Sequence, residues 1–173
     1  MTDAAVRVRD ADSLQKALGE NAAQIDVEGK ITDLPSLKLA AGTALRGVGA
    51  GAELQFKEGQ PGVMLSADHQ IANLRLVTDE TQIALGLADD ADDLGALHIS
   101  HVRTVGRVHL EASRALRGAL KLDDIHVERA DARLAAHRPA GFGVEVLLGG
   151  LAVYNFSKDK RSRWTLEARN LSG

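Results

Sequence analysis

The chain has 173 residues, 45% of them apolar and only 3% aromatic, with 21 Lys and Arg against 24 Asp and Glu. That length suits a single domain over 1–173 with its own core, and the mixed charge, net −3, leaves no basic field for nucleic acid and no polybasic membrane patch. With no cysteine, disulfides and thiolate metal sites are excluded.

The N-terminal stretch Met1-Thr-Asp-Ala-Ala-Val-Arg7 lacks the basic-then-apolar layout of a signal peptide, and no apolar run reaches membrane-spanning length. The expectation is a soluble protein, cytoplasmic by default and secreted only if the chain is a processed form. Val6-Arg-Val-Arg9 reads as a short strand. Asp12, with Gln15 three residues on and Gly19 as a stop, predicts a helix over 12–19. Leu14, Ala17 and Leu18 fall on one face of it, which suits a cap over the apolar end of whatever follows.

Short strand candidates come next: Ile25-Asp-Val27, Ser36-Leu-Lys-Leu39, Thr43-Ala-Leu-Arg46, Glu53-Leu-Gln-Phe56 and Val63-Met-Leu65. Glycines and Pro35 separate them, and no Asn-Gly or Asp-Gly marks a tight hairpin. From residue 70 a repeat becomes explicit. Gln70-Ile-Ala-Asn-Leu-Arg-Leu76, Gly95–Val102, Gly118–Ile125 and Gly150–Phe156 superimpose, with Ile71, Ile99, Leu122 and Val153 in one column at steps of 28, 23 and 31 residues. Asn73, His101, Asp124 and Asn155 then form a polar column, each followed by an apolar residue. Gln82–Leu85, Arg107–Leu110, Ala132–Leu134 and Arg163–Leu166 align as a second set, placing Trp164 inward at the level of Val108.

Recurrence at an irregular interval, with strand-like alternation inside each copy, predicts stacked β-coils. Aliphatic columns inside narrow coils also explain how a core forms with so few aromatics. At each polar position a short side chain can satisfy backbone amides freed by a sharp bend, or bond to its counterpart in the next coil. The fold class expected is all-β, a right-handed parallel β-helix with a short N-terminal capping helix.

The helix, then Thr43-Ala-Leu-Arg-Gly47, then Glu53-Leu-Gln-Phe56, then Gln70–Leu76 resembles the opening of the right-handed parallel β-helix of the pectin-lyase-like superfamily, and the likeness spans Val6 to Leu171. It implies a long groove along one sheet and an extended acidic polysaccharide as ligand. It carries no chemistry residue by residue. The Asn-Thr-Asp, Gly-His-Gly and Arg-Ile-Lys set of polygalacturonases is absent, and Arg138-Pro139 is the only echo of the lyase base segment.

Outward positions in the repeat put Arg75, Arg103 and His126 in one column, which with Lys121 forms the candidate binding face for an anionic polymer. Asp123-Asp124 is the nearest approach to a catalytic carboxylate pair, but adjacent strand residues face opposite ways. Asp89, Asp90, Asp92 and Asp93 cluster hard oxygens that suit Ca²⁺, without the ligand order of an EF-hand loop. No other cofactor is indicated. The C-terminal Leu166–Gly173 is still written as coil, so an uncapped end is expected there, covered by self-association or by a further chain segment. The favoured function is a non-catalytic or degenerate polysaccharide-related binding or assembly module. The alternative is a lyase or glycoside hydrolase acting on an acidic polysaccharide.

Overall fold

A computed structural model describes residues 5–88, 93–111, 117–131, 143–155 and 163–173. Among the described residues one helix, α1 (Ala11–Gly19), accompanies thirteen strands. Seven strands make one sheet in the order β1 (Val6–Val8), β2 (Gln24–Leu34), β4 (Ala44–Phe56), β6 (Gln70–Val77), β8 (Asp93–Val105), β10 (Arg117–Arg129) and β13 (Arg163–Ser172). Six make the other: β3 (Leu37–Lys38), β5 (Val63–Leu65), β7 (Ile83–Leu87), β9 (Arg107–Glu111), β12 (Leu151–Asn155) and β11 (Gly143–Leu148). The class is all-β. From β2 to β10 the chain alternates between the two sheets, and strands within each pair in parallel, apart from β11 with β12.

Inward residues of both sheets and of α1 share one core cluster, built almost wholly of Leu, Ile and Val. In the seven-stranded sheet Leu45, Ile71, Ile99 and Leu122 lie side by side in register, each buried. This confirms three members of the expected column and corrects the fourth. Val153 belongs to β12 in the other sheet, opposite Leu110, and Ala168 of β13 stands beside Leu122. The glycine-led segment at Gly150 looked like another copy because it alternates in the same way. It is instead the second arm of a hairpin, turned at Gly149-Gly150 with Gly149 at φ 51°. Gly-Gly is itself a two-residue hairpin signal.

The polar column also exists, with one substitution. Asn73, His101 and Asp124 take φ of 58°, 52° and 58°, and the fourth member is Asn170 at 54°, in place of Asn155. One left-handed residue in each strand adds a residue between two inward positions, as in Ile71 and Leu74 or Ile99 and Val102, and so bends the strand into two arms. Asn, Asp and His tolerate this conformation better than other non-glycine residues.

Helix α1 packs on β1 and β2 and buries Leu14 and Ala17, as its apolar face requires. Its N-cap is Asp10, not Asp12. The Asp10 carboxylate accepts from Ser13 N–H at 2.8 Å, and the Ser13 hydroxyl answers the backbone of Asp10. Two further alignments shift. Leu85, not Ile83, pairs with Val108, after an irregularity in β7. Arg163–Leu166 opens β13, which puts position 164 beside Gly118 in the seven-stranded sheet. Ala132–Leu134 and Arg138-Pro139 lie outside the described residues. Among the described residues no helix is long and apolar enough to cross a membrane, which says nothing of strands.

His69, 1% exposed, links the chain just before β6 to the chain just before β4. Its Nδ1 lies 2.9 Å from the Thr43 carbonyl, which can only accept, and Ser66 N–H donates to Nε2 at 3.0 Å. Both bonds require the neutral ring with its proton on Nδ1. Burial lowers the pKa below the ordinary 6.5, more than the Thr43 bond raises it. The unfolded state therefore binds the extra proton first. The His69 contribution is complete above pH 6.5 and is lost as pH falls from there toward the depressed folded value. Urea melts between pH 7.5 and 5.5 should show this loss, and His69→Gln should flatten the dependence. An unchanged slope in the variant would refute the assignment.

Candidate functional site

The outward side chains around the bend of the seven-stranded sheet form two files, one on each arm. On one arm, register places Lys30, Glu53, Arg75, Arg103, His126 and Ser172 side by side. The expected column of Arg75, Arg103 and His126 is thus real. Lys121 is not part of it: it sits on the other arm, in register with His98 and Glu167.

Arg75 is already occupied. Its Nη1 donates to Glu53 at 2.6 Å, and its Nη2 and Nε reach over β8 to Glu128 at 2.7 and 3.1 Å. These bonds, to Glu128 first and then Glu53, raise the guanidinium pKa and keep Glu128 below its ordinary range. Burial pushes the Glu53 carboxyl upward, but bonds from Arg75 and Gln55 outweigh it and leave the pKa lowered. Arg103 lies exposed beside this group, and its charge also helps to depress Glu128.

Nearer the bend, Asp124 is the hub of a polar chain. Its Oδ2 is 2.8 Å from His101 Nδ1 and its Oδ1 2.6 Å from His126 Nε2, while Asn170 Nδ2 donates to Oδ1 at 2.8 Å. The bonds to His101 and then His126 hold the Asp124 carboxyl below its usual value. An ionised carboxylate only accepts, so it fixes the His126 proton on Nε2 and leaves Nδ1 to accept from the Ser172 hydroxyl, 2.5 Å away. Asp123 faces the other arm and bonds Arg169 at 2.9 Å, which lowers its pKa. Asp123 and Asp124 therefore serve different partners and do not converge as a hydrolytic pair. A second cross-strand pair, Asp26 with Arg46 at 2.8 Å, lies further along the same face.

Of the four calcium candidates, Asp89, Asp90 and Asp92 lie outside the described residues. Asp93 opens β8, where its Oδ1 accepts from Gly95 N–H at 2.9 Å and its Oδ2 faces Arg117 at 3.6 Å.

At β13 the pattern of burial changes. Its inward positions are Leu166, Ala168 and Leu171, in register with the buried Leu120, Leu122 and Ile125. Leu166 and Leu171 are only half-buried and Ala168 is exposed. Among the described residues β13 pairs with β10 alone. At the matching end of the other sheet Leu148 is 41% exposed.

Comparison with protein-family models, with curated proteins and with solved structures finds no match.

Sequence reasoning overlooked Glu53 and Glu128 as partners of Arg75, and Asn170 and Ser172 as partners of Asp124 and His126. Asn170-Leu171 carries the same polar-then-apolar signature as Asn73-Leu74, so the polar-column rule would have found it. The glutamates carry no such signal, because Glu128 meets Arg75 across an intervening strand.

Proposed function

We propose that this chain is a right-handed parallel β-helix of the pectin-lyase-like kind that works as an assembly module through the β13 end of its stack. Parallel pairing, alternation between two sheets and in-register columns support the winding. The observation that carries the assembly role is the exposed inward column Leu166, Ala168 and Leu171, an apolar coil end beside a strand edge. Such an end recruits another chain, since burying it removes apolar surface from water and pairs free backbone groups.

Binding of an acidic polysaccharide through Arg75, Arg103, Lys121 and His126 draws less support. Arg75 is held between two carboxylates, His126 is bonded to Asp124 and Ser172, and Lys121 stands on the other arm. Arg103 is the member of that set best placed to meet an anionic ligand.

Sedimentation velocity across a micromolar concentration series tests the assembly role. The expected result is a concentration-dependent oligomer that Ala168→Asp converts to monomer, because an inward charge at the edge blocks strand addition. A wild-type chain that stays monomeric throughout would overturn the proposal.

A further inference from the structure

Resting on the assembly reading, we infer that the partner at β13 is a second copy of this chain, joined tail to tail by antiparallel pairing of the two β13 strands about a two-fold axis at Ala168. Three features of the strand lead to this geometry.

The first is the pleat. In β13 Leu166 and Ala168 point inward, while Thr165, Glu167 and Arg169 are exposed on the outer face. An antiparallel neighbour must set outward residues opposite outward residues, or the inward apolar positions of one copy would meet water. Two-fold registers that satisfy this are centred on a residue, not between two.

The second is charge. Centring on Glu167 sets that carboxylate against its own copy, and like charges directly opposite are destabilising. Centring on Leu166 sets Glu167 against Thr165. Centring on Ala168 sets Glu167 of each copy against Arg169 of the other, and the two-fold makes the pair twice. It also continues an alternation already present within the chain. Lys121 stands beside Glu167 and Asp123 bonds Arg169, so the row across the axis reads Lys121, Glu167, then Arg169 and Asp123 of the second copy.

The third is what the strand lacks. Edge strands avoid pairing through charged side chains, an inward-pointing charge, a proline, a bulge or a covering segment. The two charges of positions 165–171, Glu167 and Arg169, point outward and are of opposite sign, no proline is present, and every residue from Thr165 to Leu171 except the left-handed Asn170 stays in unbroken register with β10. Tail-to-tail pairing also brings Ala168 against Ala168, a small residue that lets two backbones approach, with the pairing confined to the arm of each copy before the left-handed Asn170. An isologous contact of this kind closes at two copies, whereas a head-to-tail contact would need the helix-covered β1 end, which α1 already occupies.

Complementary charge reversal tests the register. In E167R both facing positions are arginine, and in R169E both are glutamate, so each variant alone should sediment as monomer where the wild-type chain is dimeric. Mixed in equal amounts, they should recover a dimer containing one copy of each. Both side chains are exposed, and thermal melts followed by circular dichroism check that each variant is folded. Wild-type dimer with E167R and R169E still dimeric on their own would overturn this register while leaving the assembly role intact. So would two monomeric variants that fail to pair when mixed. A monomeric wild-type chain would overturn both.

Discussion

Replacing Ile99 with alanine should destabilise the protein by about 3 kcal/mol, within the range for truncating a buried isoleucine. Ile99 is 1% exposed and sits mid-file, with Ile71 on one strand and Leu122 on the next. Neither neighbour can move into the vacated space without breaking register with its own partners, so the cavity stays largely open. For a chain of this size that loss lowers Tm by roughly 10 °C. Ala72→Gly, on the outer face of the strand beside it, should fall well short of that effect. A loss under about 1 kcal/mol for Ile99→Ala would contradict the close-packed file.

Gly47→Ala should cost a similar amount for the opposite reason. Gly47 directly follows Arg46, the last residue of β4 paired with β6 before the register shifts, and there the left-handed Asn73 brings its carbonyl oxygen against the Gly47 Cα. A Cβ at position 47 would stand 2.0 Å from that oxygen and 2.5 Å from the Ala52 Cβ. Both obstacles are fixed to the backbone, so β4 and β6 must separate locally, and the penalty falls near the upper end of the overpacking range, about 3 kcal/mol. Gly19→Ala is the control. Nothing lies within 4 Å of its Cβ position, and it ends a helix, where alanine is the better residue. Chemical denaturation should therefore separate the two glycines by more than the cost of either substitution in an unstrained loop.

What the sequence revealed, it revealed through periodicity of two. Ile71, Ile99 and Leu122 were placed in one file because each lies inside a segment of regular alternation, and alternation of that kind is dictated by the pleat. The same criterion misplaced Val153. Residues 150–154 alternate as well as any copy, but alternation does not record which sheet a strand joins or in which direction it runs. The left-handed bend is the more specific marker, since it needs a tolerant residue at one position. Asn170 satisfies it and Asn155 does not belong to that sheet. The joining of the Thr43–Arg46 and Glu53–Phe56 candidates into β4 was hidden by Gly47, Gly49 and Gly51, which read as breaks, although Gly49 and Gly51 bend the strand at positive φ and Gly47 makes room for the Asn73 carbonyl. At the candidate site, register alone gave the column of Arg75, Arg103 and His126. Whether those cations were free depended on Glu53 and Glu128, and the second of these contacts skips a strand.

The strands of the larger sheet lie in the order in which they occur in the chain, starting beside α1. A polypeptide leaving the ribosome N-terminus first can dock α1 on β1 and β2 and thereafter lay down each new strand on one already in place. Growth of the sheet never has to wait for a later segment to fill an earlier gap. Because each added strand pairs with one some twenty or more residues back, every step closes a sizeable loop, and folding of the released chain from denaturant should be slow for its size. Translation and in vitro refolding thus offer this protein routes of very different speed to the same stack.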